Sequence, residues 1–416
     1  MSTLETAVQK HLRYNLVVNL IDGAFFGFGW GFGSMTTILP LFLSRMTDSA
    51  LMIGLIPAIH GVAWQLPQLF LANRLARLRL YKPMVMLFTL HERIPYLGLA
   101  LVALAMPSLG ARFTLVLTFL LILWQSIGSG LTANPWQSMI AKIIPSNWRG
   151  AFFGLQAALA NGLIALTSLV AGFLLNRLDD RFDFALCFLL AAVGMGLSMF
   201  FLGLTREPVD EEKSIPDRQS FPWREWLTIL RRDKNFSAFL LVRFLSGFAS
   251  MGFNFYILYG LRRFGMDEET AGALTAVLTM TQVLANASMG WLGDRFGHRA
   301  MLVAGSLAVT FSSLLAWGGP TLVWLYPSFV FAGLANVAYW TIGMVFTTYF
   351  GTEETRPTYI GLSNTLVAPA TLIAPLVGGW LTDAVGFQAT FLASAIGGLV
   401  IALILIVLVR SPHRQS

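Results

Sequence analysis

The chain has 416 residues, of which 56% are hydrophobic and 12% charged, with a mean hydropathy of +0.67; soluble domains carry about 25% charge, so this composition is that of a polytopic membrane protein. The formal charge of +7 would suit a nucleic-acid binder only if the basic residues formed one face, and they are scattered over short segments between apolar runs. The single cysteine, Cys187, excludes a disulfide framework and a cysteine-based metal site, and reads as a core residue.

The first thirteen residues are short and polar, and the apolar run after them is too long for the core of a signal peptide, so it is taken as a retained span. Crossing ~30 Å of hydrocarbon needs about 20 apolar residues. About twelve such runs follow one another, at 14–43, 51–73, 83–106, 111–141, 150–176, 183–204, 236–261, 268–292, 299–318, 321–350, 357–383 and 386–409. The expected fold is therefore an all-α membrane protein. Of the 28 Lys and Arg, 20 fall on the side of the N-terminus, six on the opposite side, and two, Arg93 and Arg243, inside spans. That bias places both termini in the cytoplasm.

The only long polar connection, Thr205 to Asn235, divides the chain into an N-terminal bundle, 1–204, a cytoplasmic linker, 205–235, and a C-terminal bundle, 236–416. Within the linker Trp223, Trp226, Leu227 and Leu230 have the spacing of one helical face, opposite Arg224, Glu225, Arg231 and Arg232, which predicts a helix lying on the membrane surface. The two halves also repeat. Arg149-Gly150-Ala151-Phe152-Phe153-Gly154-Leu155 returns as Arg356-Pro357-Thr358-Tyr359-Ile360-Gly361-Leu362, and at the same offset Leu169-Val170-Ala171-Gly172-Phe173 returns as Leu376-Val377-Gly378-Gly379-Trp380. One offset serving both ends of a span points to a two-half transporter architecture.

Between two apolar runs stands Gly290-Trp291-Leu292-Gly293-Asp294-Arg295-Phe296-Gly297-His298-Arg299, a tight connection with Gly297 available for a positive φ. It resembles the loop signature of the major facilitator superfamily, G-x-x-x-D-R-x-G-R-R, with Gly290, Asp294, Arg295, Gly297 and Arg299 on the pattern and His298 in place of one basic residue. A first copy is eroded: Leu69 replaces the first glycine, Asn73 the acid, and Leu78 follows Arg77. The resemblance implies two six-helix bundles rocking about a central cavity, with these five residues as a conformational latch. Drug antiporters of that superfamily carry G-P-x-x-G-G in the fifth helix; here Thr167 to Gly172 stands there, and the nearer match, Ala374-Pro375-Leu376-Val377-Gly378-Gly379, lies in the eleventh. Arg206-Glu207-Pro208 faintly resembles the motif after the sixth helix of sugar porters.

An ionisable residue at mid-helix costs ~2.5–3.5 kcal/mol on insertion scales, so the few in this chain are its candidate functional groups. Asn15, Asn19 and Asp22 share one helical face, followed by a ladder of Gly23, Gly27 and Gly31 that allows close helix approach. Asp22 reads either as a proton-titrating or substrate-binding carboxylate, or as a structural one capped by a neighbouring helix. The resemblance sets the first and seventh helices face to face, which offers Arg243 as its partner; the alternative is that Arg243 snorkels to headgroups. His91, Glu92 and Arg93 precede Pro95, where a kink or unwound turn is expected. With successive residues ~100° apart these three cannot share a face, and a coupling role or a packing ion pair both fit. His60 reads as a packing residue.

Trp30, Gln65, Gln125, Asn161, Asn254, Tyr256, Gln282, Asn336, Tyr339 and Asn364 are candidate cavity-lining residues, and with Phe25, Phe26, Phe253 and Phe255 they suggest an aromatic and amide pocket for an amphipathic solute. Each alone serves equally as interhelical glue. No P-loop and no H-E-x-x-H motif is present, so no enzyme, cofactor or metal is expected. The function expected is secondary transport of a small organic molecule, as proton-coupled efflux, by a monomer in the cytoplasmic membrane in contact with lipid and protons. Proton-coupled uptake, lipid flipping and a non-transporting sensor remain the alternatives.

Overall fold

The computed structural model describes residues 3–75, 78–178, 182–209, 223–351 and 355–410, and every regular element among them is helical. The first half holds α1 (Thr3–Phe32), α2 (Ile38–Ser44), α3 (Ala50–Leu75), α4 (Lys82–Leu109), α5 (Ala111–Ile143), α6 (Ser146–Arg177) and α7 (Asp183–Gly203). After α8 (Trp223–Arg232) the second half holds α9 (Lys234–Ala249), a 3-10 turn (Met251–Phe255), α10 (Tyr256–Phe264), α11 (Glu268–Phe296) and α12 (His298–Gly318). A second 3-10 turn (Leu322–Trp324) leads to α13 (Leu325–Val337), a π-helical turn (Ala338–Ile342), α14 (Gly343–Thr347), α15 (Arg356–Ala384) and α16 (Phe387–Val407). Ten stretches are long and apolar enough to cross a membrane. α1 and α11 have the length, 30 and 29 residues, and bring the spans to the twelve expected.

The chain divides into two compact units, one of residues 1–47 and 59–220, the other of residues 48–58 and 221–416. In the first, α1 packs on α6 and α7, and α4 on α5 and α7. In the second, α9 packs on α15 and α16, and α12 on α13 and α16. Counted as spans, these are the same four pairs in each unit, which is the repeat seen in the sequence expressed as packing. α3 begins in the second unit, where Asp383 accepts hydrogen bonds from Ser49 Oγ and the Ala50 and Leu51 amides.

Glycine sets the helix spacing in the first unit. A Cβ on Gly27 would lie 2.3 Å from the Ala160 carbonyl, and one on Gly31 would strike Thr167, so the ladder on α1 admits the backbone of α6 directly. Gly128 on α5 does the same for α4, where a Cβ would lie 2.4 Å from the Glu92 amide nitrogen. That contact sits one turn before Pro95, and α4 runs without an unwound turn through Pro95 and Pro107. The unwound turn expected at Pro95 is thus not there.

Breaks occur elsewhere. The first run is divided between α1 and α2, where Ser34 Oγ accepts from the Thr36 amide and Pro40 could not donate to a continuing helix. The seventh passes through the 3-10 turn at 251–255, whose Gly252 amide donates to Ser394 Oγ. α8 forms as expected, but its packed side is Trp226, Ile229 and Leu230 against the core of the second unit, while Leu227 is exposed. Asp233 turns α8 straight into α9 by accepting from the Phe236 amide, and so pins it to the bundle. The rest of the polar linker, 210–222, lies outside the described residues, as do Ala76, Arg77 and the side chains of Leu69, Asn73, Arg74, Trp223, Arg224, Glu225, Arg356 and Pro357. Cys187 is buried within α7 as a free thiol.

Replacing Gly27 by Val should lower the thermal midpoint in detergent by the equivalent of ~1–3 kcal/mol, the usual cost of overpacking. Gly162→Ala, at a site with nothing within 4 Å, should leave the midpoint unchanged or raise it. Equal behaviour of the two variants would contradict the close α1–α6 approach.

Candidate functional site

Candidate side chains of the first unit meet at a seam between α1 and α7. Asn15 exchanges two 2.9 Å hydrogen bonds with the Arg206 backbone, Asn19 Nδ2 donates to Thr205 Oγ1 at 3.1 Å, and Asp22 Oδ1 accepts from Ser198 Oγ at 2.5 Å. The polar face read from the sequence is therefore a zipper along the end of α7 and the residues Thr205 and Arg206 that follow it. Its lower rungs are structural, because Asn15 and Asn19 satisfy backbone groups and the hydroxyl at the end of α7. Asp22, at the upper end, is the rung that reaches open space.

Arg93 completes the group. Its Nη2 donates to Ser198 Oγ at 2.9 Å and lies 3.5 Å from Asp22 Oδ1, so Ser198 accepts from the guanidinium while donating to the carboxylate. Asp22 and Glu92 are each 4% exposed and Arg93 7%. Charges this deep demand compensation, and the pair with its bridging hydroxyl supplies it for Asp22. Arg93 Nε and Nη1 are buried without a hydrogen-bond partner. Glu92 has no ion-pair partner among the described residues and stands beside Ser129 of α5.

These three charges border a half-open cavity of about 450 Å³ whose lining residues all belong to the first unit. Phe26, Trp64, Trp136 and Phe153 give it aromatic walls, Ser129, Thr132 and Gln156 add a few polar groups, and the small residues Gly23, Ala133, Ala157 and Ala160 leave the room. An apolar chamber of this volume with a few convergent polar groups has the make-up of a site for a small organic molecule.

The remaining sequence candidates are spread out. His91 points to the exposed face of α4, where Trp124 Nε1 donates to its Nδ1 at 3.2 Å, so it leaves Glu92 and Arg93, as their angular spacing requires. His60 bonds Ser126 Oγ at 3.0 Å and meets the Trp30 ring, which stacks on Phe26 behind the cavity wall. Gln125 is buried against Ser126, and Gln65 and Asn161 are half-buried; none of Trp30, Gln65, Gln125 and Asn161 lines the chamber. In the second unit Tyr256 and Asn336 border a small pocket of about 40 Å³, with the Tyr256 hydroxyl tied to Ser312. Gln282 and Asn286 belong to a helix-surface chain ending on Thr341, Asn254 is half-buried, and Asn364 is exposed. Arg243, offered by the sequence as the partner of Asp22, donates Nη1 to the Tyr339 carbonyl in the π-helical turn, where wider winding frees that oxygen.

At the loop signature, Gly297 takes φ +92° between α11 and α12, as its turn requires. Arg299 caps the end of α16 through the Leu405 and Ile406 carbonyls at 2.8 and 2.6 Å. Arg295 lies over the Trp291 ring, Asp294 is exposed, Gly290 has open space around it, and buried His298 meets the Tyr349 hydroxyl at 3.0 Å. His298 at the variant position is thus a packing and hydrogen-bonding residue.

Sequence reasoning passed over Ser198, Ser129, Thr132, Trp136 and Gln156. A signal for Ser198 existed, since Ser198 and Thr205 are seven residues apart, as are Asn15 and Asp22, so two helices offered matching polar stripes. Removing one member of the buried pair should be costly. Arg93→Gln should lose about 3–5 kcal/mol of stability, read as a fall in thermal midpoint, and adding Asp22→Asn should restore part of it. A double variant as unstable as the sum of the singles would dissolve the coupling.

The sequence profile of the Major Facilitator Superfamily matches residues 90–262 and 239–416. Multidrug resistance protein 1 of Bacillus subtilis (strain 168) is 28% identical over 144 residues, 35% of this chain and 37% of that protein, so the chain spans about a third of the length of that relative. An uncharacterized MFS-type transporter of Methanocaldococcus jannaschii is 24% identical over 378 residues, 89% of each chain. The crystal structure of a mutant form of the nucleoside transporter NupG superimposes with a TM-score of 0.75 at 17% identity, covering 95% of this chain and 100% of that one, a likeness of fold. With about twelve spans in two repeated units and these matches along its length, the chain belongs to the Major Facilitator Superfamily as an integral, multi-pass secondary transporter, not an enzyme.

Proposed function

We propose that this protein is a proton-coupled exporter of a small amphipathic or aromatic molecule, acting as a monomer in the cytoplasmic membrane with both termini in the cytoplasm. The bundles 1–204 and 236–416 are its two moving halves, joined by the linker 205–235. The observation that carries this reading is the aromatic chamber of the first unit, in which two carboxylates face one guanidinium. With all three ionised the group holds one net negative charge in an apolar surround, and uptake of one proton neutralises it. Protonating Asp22 removes the negative charge that holds Arg93 and weakens the hydrogen bond from Ser198, so proton binding and release rearrange the wall against which the substrate lies. The drug-resistance name of the Bacillus relative supports the outward direction.

The chamber selects by shape and polarity. Phe26, Trp64, Trp136 and Phe153 favour flat apolar surfaces, while Gln156 and Thr132 leave room for a few hydrogen bonds. The reading is tested in proteoliposomes with a panel of fluorescent aromatic dyes. Dye movement should depend on a pH gradient, Asp22→Asn should abolish the gradient-dependent part, and Trp64→Ala should weaken binding about tenfold, the loss expected of a buried aromatic wall. Movement that ignores both the gradient and Asp22→Asn would refute proton coupling, and inert behaviour of Trp64→Ala would remove the substrate from this chamber.

A further inference from the structure

The hydroxyl and amide groups that α5 and α6 bring to the chamber have their hydrogens engaged elsewhere. Thr132 Oγ1 donates to the Gly128 carbonyl at 2.9 Å, one turn back on its own helix. Ser129 is hydrogen-bonded to Glu92. Gln156 Nε2 donates to the Asn19 carbonyl of α1 at 3.1 Å. That last bond fixes which way the amide faces, because a carbonyl only accepts, and the amide oxygen in the same place would meet it lone pair to lone pair. Gly23 makes the room for it: a Cβ there would lie 2.4 Å from Gln156 Cγ and 2.9 Å from Nε2. Gln156 is 8% exposed and lines the chamber. With the nitrogen held against α1, Oε1 is the end of the amide left over, and it accepts from none of the described residues. Arg93 adds no free donor, since Nη2 serves Ser198 and Asp22 while Nε and Nη1 are buried.

We propose that Gln156 is a specificity-determining residue of the chamber, whose amide oxygen selects aromatic substrates that carry an N–H or O–H donor over equally shaped ones that lack it. Resting on the assignment of the chamber as the substrate site, the inference adds the polarity of the substrate's hydrogen bond and the atom that reads it. The aromatic body lies among Trp64, Trp136 and Phe153, and its donor points to Gln156 Oε1, with Thr132 Oγ1 as a second acceptor on α5. A ligand without a donor displaces water from that oxygen and returns nothing, which leaves a dry acceptor. The glycine at position 23 thus serves recognition as well as packing, since it admits the side chain whose orientation α1 sets.

The test uses the purified full chain in detergent with three near-isosteric tricyclic probes: carbazole, which has one N–H, and dibenzofuran and fluorene, which have no donor. Equilibrium dialysis against protein-free micelles of the same detergent measures affinity and removes the contribution of micelle partition. Carbazole should bind about tenfold more tightly than either of the others. Gln156→Met and Gln156→Leu, each of similar length or bulk without the acceptor, should erase that ratio by weakening carbazole alone, whereas a merely structural role for Gln156 would move all three probes together. Gln156→Glu, which keeps an oxygen acceptor there, should retain the preference. Equal binding of the three probes by the unmodified protein, or a carbazole preference that survives Gln156→Met, would overturn the inference. If the three bind equally and Trp64→Ala weakens them all, the chamber stands and only the role of Gln156 falls. If none binds, or if Trp64→Ala changes nothing, the chamber assignment falls with it.

Discussion

Three charges brought together inside an apolar bundle dominate the first unit. Each would be expelled to a headgroup or to water if it stood alone; Asp22 and Arg93 persist because α1, α4 and α7 converge on Ser198, and Glu92 stands beside Ser129 of α5. That hydroxyl links acid and base, and the glycine-lined approach of α1 to α6 and of α5 to α4 fixes the helices that carry them. The aromatic chamber forms where this charged seam meets the small residues of α5 and α6. Packing, electrostatics and cavity are in this sense one arrangement.

The second unit reuses the scaffold without the acids. Its spans pair in the same order, α9 with α15 and α16, α12 with α13 and α16, yet among its described residues the deeply buried charge is Arg243, held by the carbonyl that a π-helical turn releases. Tyr256, Ser312 and Ser313 close a neutral hydroxyl cluster at the depth of its small pocket. Duplicated architecture has thus been filled with different chemistry, a basic residue on one side and two acids with a base on the other.

The twelve spans were legible because hydrocarbon thickness imposes a length and composition on every crossing segment, and the offset joining Arg149-Gly150 to Arg356-Pro357 exposed the repeat. Gly23, Gly27 and Gly31 announced the close α1–α6 contact for the same reason: a missing side chain is visible in sequence. Partners were harder. Asp22 and Glu92 stood out as buried acids, but which base would meet them depends on helix rotation, and periodicity alone does not set rotation between helices far apart in the chain. Breaks were also misplaced. Pro95 sits in an intact helix because α5 supports it closely, whereas Gly33 to Thr37 and Ser250 to Phe255 yield where serine and glycine offer alternative hydrogen bonds.

Cys187 lies sealed within α7, and it is the sole thiol of 416 residues. A sulfhydryl walled off from solvent reacts slowly with maleimides and nitroxide reagents, so the native background is close to chemically silent. Any cysteine introduced on an accessible helix end would become a unique attachment point for a spin label or fluorophore. Distances between such labels can be followed in the otherwise unaltered polypeptide.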